Sequence, residues 1–368
     1  MGIFSSAESL IDKLRGARGI MFKTADQPIQ YELSVWPGHQ DWDHFHSYGF
    51  YRDLVDWNDS FLARTEIRRQ FLDPAIERVL IREPDSVHAT LFVPPGAGPF
   101  PAVIDMFGGL GHCVEYRAAL LARQGYLCMA LAYYNFEGVA PKQISEIRFD
   151  YFAKAMDLLL AHPKARSNSV AFVGNCLASA IVNNLALRDP RVGLAVSVNA
   201  TCILNLNPSA ECFTTPEFNM DSGSWLENGT FRFRQGRLLI NRPAGGQVNP
   251  VLSGLAPLIH KHQPKLVFML GEKESSFPSI ESAQFTKQHF EKHGRGDQVE
   301  IRMIPGQGHL MEPPYMPTQR YTLAGKGMTW IIDHGGSPEG HLRSQEFFWT
   351  SLLECLDKYH RKPALARL

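Results

Sequence analysis

From Phe100 onward the chain alternates short runs that are apolar at every position with longer stretches whose apolar residues recur at helical spacing. The runs PAVIDMFG, LCMALAYY, SVAFVG, VGLAVSVN, KLVFMLG and QVEIRMIPG read as strands, and CVEYRAALLARQG, SEIRFDYFAKAMDLLLAH, LASAIVNNLALR, SIESAQFTKQHFEKHG and SQEFFWTSLLECLDKY as helices. Strands that are apolar throughout suit a sheet covered by helices on both faces, so the pattern predicts a mostly parallel, doubly wound α/β sheet. Residues 200–260 break the rhythm with polar, Gly-rich sequence such as ECFTTPEFNMDSGSWLENGT. They are expected to form an insertion over the carboxyl ends of the strands, the edge at which open α/β sheets bind ligands. Residues 24–95 read differently: alternating segments (QPIQYELSVW, SVHATLFV) between turn and aromatic clusters predict a small, shortened β-rich region. The punctuating segment Pro94 to Pro101, PPGAGPFP, then marks a boundary. The expected organisation is a leader over 1–23, a partial β region over 24–95 and an α/β domain over 96–368.

Composition narrows the function classes. Thirty-seven basic residues balance thirty-seven acidic ones, so no overall field attracts nucleic acid or an anionic membrane surface. No run of about eighteen apolar residues occurs, and no membrane span is expected. The six cysteines (113, 128, 176, 202, 212 and 355) are widely spaced, without CxxC or zinc-ligand spacing, as reduced thiols would be. Asn58, Asn199 and Asn228 open N-x-S/T triplets, which carry no weight without a secretory signal. The start, MGIFSS, fits the loose myristoylation pattern; the other reading is an amphipathic leader helix with Leu10, Ile11 and Leu14 on one side.

Reactive side chains then fall just past three of the apolar strands, in the order Cys176, Glu274, His309. In GNCLA, Gly174 and Ala178 give Cys176 the small neighbours that a nucleophile on a sharp strand-to-helix turn needs, although a buried cysteine of purely structural role fits the same letters. Glu274 stands three residues after the strand end at Gly271, and His309 lies in a Gly-rich loop after the next strand. Nucleophile, acid and base in this chain order are what an α/β-hydrolase presents, the acid orienting the histidine and the histidine serving the thiol. FGGLGH, from Phe107 to His112, could supply oxyanion-hole donors at Gly108 and Gly109, with the Leu177 N–H as the second contributor; a tight turn would need the same glycines. Two competing sites are weaker. His112 and Cys113 are neighbours at a helix start that seldom face each other, and His44 and His46 in DWDHFH have the spacing of metal ligands on an extended chain.

Longer motifs carry a family resemblance. ATLFVPPGAGPFPAVIDMFGG, EYRAALLARQGYLCMALAYYN, FVGNCLAS and GQGHLMEPPYMP resemble the type I acyl-CoA thioesterases and bile acid-CoA:amino acid N-acyltransferases, with short gaps, from about residue 71 to 360. The resemblance implies an α/β-hydrolase domain behind an N-terminal β-sandwich, a Cys176–Glu274–His309 triad, a coenzyme A thioester as substrate, glycine or taurine as possible acceptors, and no metal or redox cofactor. This chain departs from the family pattern in Leu177, Ala178 and Ser179, where lysine or another polar residue and then glycines are usual, in Glu274 where aspartate is usual, and in its shorter N-terminal region. The final Ala366-Arg367-Leu368 has the small-basic-leucine character of a peroxisomal address, so an import receptor is an expected partner, a cytoplasmic location being the alternative.

Overall fold

The computed structural model describes residues 24–35, 62–82, 87–108, 112–134, 136, 138–139, 141, 146–199, 224–227, 230–233, 262–277, 279–316, 320–324 and 330–361. The leader, His44, His46, Asn58, Gly109, Cys202, Cys212, Asn228 and the final tripeptide lie outside them.

In chain order the main sheet is built from β3 (Glu77–Arg82), β4 (His88–Val93), β5 (Phe100–Met106), β6 (Leu127–Ala132), β7 (Ala165–Asn175), β8 (Val192–Val198), β11 (Lys265–Gly271) and β12 (Val299–Ile304). Their order across the sheet is β12-β11-β8-β7-β5-β6-β4-β3. β4 runs antiparallel to both of its neighbours, and from β6 to β12 every pairing is parallel. A second strand that runs backwards, and a fourth that inserts between the second and the third, give the strand order of the α/β-hydrolase fold.

Alternation along single strands explains why the sheet is wound on both faces. Ala102 and Ile104 of β5, Phe172 of β7 and Phe268 of β11 pack with helices α2 (Phe149–Leu160), α3 (Leu177–Arg188) and α4 (Ser279–Lys292). Their neighbours Val103, Ala171, Val173 and Val267 pack on the opposite face with α1 (Tyr116–Arg123) and α5 (Pro338–Leu356). With both side-chain sets buried, the inner strands are apolar at most positions, and their few buried polar residues, such as Asp105, are paired.

The sequence reading is adjusted in three places. The main sheet begins with β3 and β4, N-terminal to the Pro94–Pro101 segment chosen as the boundary, because β4 is buried along its whole length between β6 and β3. Among the described residues, what precedes it is one antiparallel pair, β1 (Ile29–Val35) with β2 (Ala63–Arg69). Helix α5 starts at Pro338, ahead of the SQEFF segment: Ser337 caps it, its hydroxyl accepting the Gly340 N–H at 3.0 Å, and the proline occupies the first turn where its missing N–H costs nothing. Finally, the inserted region contributes a hairpin, β9 (Ser224–Glu227) and β10 (Thr230–Phe233), and β10 pairs in parallel with β14 (Trp330–Asp333), whose other neighbour is β13 (Tyr321–Ala324). This four-stranded cap sheet joins the insertion to the segment after His309.

Candidate active site

β7 ends at Asn175 and α3 opens at Leu177, so Cys176 alone turns the chain, with φ 57° and ψ −121°. That region is strained for a residue with a side chain, and something must hold it there. The Cys176 N–H donates to the Val198 carbonyl at 3.1 Å, and its own carbonyl accepts the Ser179 N–H at 3.0 Å and the Ser179 hydroxyl. Space is as tight as the hydrogen bonding: a Cβ on Gly174 would stand 2.6 Å from the Ala178 carbonyl oxygen, and one on Gly108 2.8 Å from the Cys176 Cβ. Glycine is required at both. Cys176 is partly exposed, whereas Cys113, Cys128 and Cys355 are buried. Burial pushes the Cys113 thiol up to about 11 and the Cys355 thiol up to about 12, the pattern of inert structural cysteines.

The acid and the histidine arrive from the next two strand ends. Glu274 is buried; its Oε1 accepts the N–H groups of Ser276 at 2.6 Å and Phe277 at 3.2 Å, which leaves Oε2 for His309 Nδ1 at 2.6 Å. With Nδ1 engaged, His309 has Nε2 left to serve the Cys176 sulfur, with which it interacts electrostatically. Burial works to strip His309 of its proton, but the Glu274 carboxylate, and after it the Cys176 sulfur, raise it to about 10. At neutral pH His309 is therefore protonated. The three residues singled out in the sequence meet here.

Two residues that sequence reasoning passed over complete the frame. Asn199, at the end of β8 with φ 48°, donates from Nδ2 to the carbonyls of Gly308 at 2.9 Å and His309 at 2.7 Å and accepts the Gly271 N–H on Oδ1 at 2.8 Å. One buried amide thus ties together the ends of β8, β11 and the histidine loop. Its signal was present: a polar residue directly after an apolar strand, as with Cys176. Tyr133 donates its hydroxyl to the Phe107 carbonyl at 2.7 Å and reaches that of Gly108 at 3.3 Å, fixing the segment after β5 beside the cysteine. Leu177 is the first residue of α3, so its N–H belongs to the turn that has no acceptor within the helix. Of the competing sites, Cys113 turns its thiol into the core toward the Ala130 carbonyl at 3.3 Å.

Residues 147–362 match the family model described as BAAT / Acyl-CoA thioester hydrolase C terminal. The chain is 32% identical over 306 residues to a mouse (Mus musculus) protein named peroxisomal succinyl-coenzyme A thioesterase, covering 81% of this chain and 69% of that one. It is 30% identical over 329 residues to the mouse acyl-coenzyme A amino acid N-acyltransferase 2, covering 85% and 73%. Among solved structures, acylaminoacyl peptidase of Pyrococcus horikoshii superposes with a TM-score of 0.49 at 13% identity, over 81% of this chain and 46% of that one.

Proposed function

The chain belongs to the BAAT / acyl-CoA thioester hydrolase family, and from that membership and the site's geometry we propose that it takes the acyl group of an acyl-CoA onto Cys176 and passes it to water. The single observation that carries this reading is the buried, hydrogen-bonded Glu274–His309 pair, whose proton on His309 is held by Glu274 and by the Cys176 sulfur. The thiolate attacks the thioester carbonyl. The developing oxyanion is met by the Leu177 N–H and the backbone at Gly108, which packs against Cys176. As the tetrahedral intermediate collapses, His309 gives its proton to the departing coenzyme A sulfur and then, as a base, takes one from the water that resolves the acyl-enzyme. Glu274 holds the ring in the tautomer this requires. The steps call for no metal or redox cofactor.

Transfer to an amine is the second reading, favoured by one observation: the nucleophile is a cysteine. A thioester favours amines over water more strongly than an oxyester does, so Cys176 permits conjugation to glycine or taurine. Hydrolysis ranks first because water needs no acceptor site. Incubation with acyl-CoA, with and without millimolar glycine or taurine, and separation of free acid from amide by mass decides between them. Free acid is expected to dominate; dominant amide reverses the order, and Cys176→Ser is then expected to shift product back to acid. An acyl adduct on Cys176 is expected by mass spectrometry, and full acyl-CoA binding without any adduct would reduce the chain to a lipid carrier. The name of the mouse thioesterase supports a peroxisomal setting. Imaging the full chain against a peroxisomal marker tests it, and a cytosolic or mitochondrial distribution removes it.

A further inference from the structure

The reaction outlined above leaves unused a second buried histidine beside the first. His334 follows β14 directly, and its ring lies 5.3 Å from that of His309, nearly parallel at 15°. Its carbonyl accepts the His309 N–H at 2.8 Å, and its own N–H donates to the Arg320 carbonyl at 2.8 Å. Its Nδ1 is 2.8 Å from the Ser276 hydroxyl, and Ser276 is the residue whose N–H holds Glu274. The next residue, Gly335, forms a backbone bridge to Glu274. A closed circuit results, from His309 to Glu274 to Ser276 to His334 and back.

We propose that His334 is a positioning residue for the catalytic histidine, a flat face supplied by the cap sheet that keeps the His309 ring between Glu274 and Cys176. This rests on the reading of Cys176 and His309 as the reacting pair. A protonated imidazole is attracted to the face of a neutral ring and repelled by a charged one. Burial, and after it the charge on His309, keep His334 well below the ordinary histidine range; Asp333 opposes this and His341 adds to it. Arg320, the remaining charge nearby, is paired with Asp333 through two bonds of 2.8 Å. His334 is thus neutral in the pH range in which His309 is charged. If the ring only filled space, its loss would lower stability and leave the proton on His309 undisturbed.

The test measures alkylation of Cys176 by iodoacetamide in the full chain from about pH 5 to about pH 9.5, with the adduct located by mass, for the unaltered protein, His334→Ala and His334→Phe. In the unaltered chain the imidazolium is expected to favour the ionised sulfur, so that the rate bends at a lower pH than that of an ordinary thiol. His334→Ala is expected to shift that bend upward by about one pH unit, read as a rate about tenfold lower on its acidic side and unchanged near pH 9. His334→Phe restores the face without the Ser276 bond and is expected to recover most of that loss. A His334→Ala profile that superimposes on the original, or that drops equally at every pH, overturns the proposal. Should His334→Ala fail to fold, His334→Gln, which removes the ring while keeping a polar group toward Ser276, decides: a profile shifted upward supports the positioning role, and one that superimposes on the original overturns it. An ordinary thiol profile in the unaltered chain overturns the reacting pair and this proposal together, which is a different result from failure of the proposal alone.

Discussion

At His309 two opposing influences meet, and their balance sets a measurable dependence on pH. Burial works against the proton and the Glu274 carboxylate, 2.6 Å from Nδ1, works for it; the carboxylate prevails, and the group rises from the ordinary 6.5 to about 10. A proton held more tightly in the folded chain than in the unfolded one stabilises the fold. The contribution is complete below about pH 6.5 and is lost as pH climbs through about 10. Glu274→Gln removes the charge responsible, so the difference in melting temperature between this variant and the unaltered chain is expected to be widest near pH 6 and to close toward pH 10. A difference that widens with rising pH contradicts the assignment. Turnover of acyl-CoA by the same variant is expected to fall by about two to four orders of magnitude, the worth of a positioned acid–base group. Cys176 is the matching case in the backbone: its strained φ of 57° persists only because Val198, Ser179 and two close-packed glycines fix it from every side.

The strands deliver these residues, and Asn199 shows how far apart in sequence the strands that must agree can lie. Asn199→Ala leaves the Gly271 N–H and the carbonyls of Gly308 and His309 buried without their partner. At about 1–3 kcal/mol for each orphaned group, partly relieved by relaxation, a loss of about 3–5 kcal/mol is expected in urea unfolding, with a fall in turnover because the histidine loop is released. A loss below about 1 kcal/mol would mean that the loop is held elsewhere. The candidate triad was legible because each member closely follows a strand rich in apolar residues, a signal local to a dozen residues. Asn199 carries that mark too, but its role, like that of His334, lies in contact with a loop far along the chain, and no periodicity reports that. The same holds for the domain boundary. HATLFV has the composition of any β segment, and only its pairing between β6 and β3 reveals that it belongs to the main sheet. β13 and β14 escaped notice for a related reason: at four residues each they are too short for alternation to show.

Across the whole molecule, the turn entering α1 spends three consecutive residues on three different parts of the fold. Glu115 accepts the Ala25 N–H at 2.9 Å, two bonds from Arg78 of β3 at 2.9 Å each, and the Thr90 hydroxyl of β4 at 2.7 Å. Tyr116 donates to Glu312 in the histidine loop at 2.5 Å, and burial pushes that acid up to about 7. Arg117 pairs with Asp105 at the end of β5 at 2.7 Å, both side chains buried. Glu115→Ala strands a guanidinium and a main-chain N–H at once, so a destabilisation of about 3–5 kcal/mol is expected in denaturant unfolding. A change under about 1 kcal/mol would show that the N-terminal strands are held by their apolar contacts alone. The cap sheet has a consequence of another kind, in time. Cys176 and His334 are 158 residues apart (334 − 176), and β10 waits equally for β14 before it can pair. At cellular rates of synthesis the nascent cysteine precedes the clamp on its partner by roughly 8–30 s. Over that interval the emerging sulfur lacks both the histidine and its clamp, so the proposed pairing can form only after the cap strands have been made.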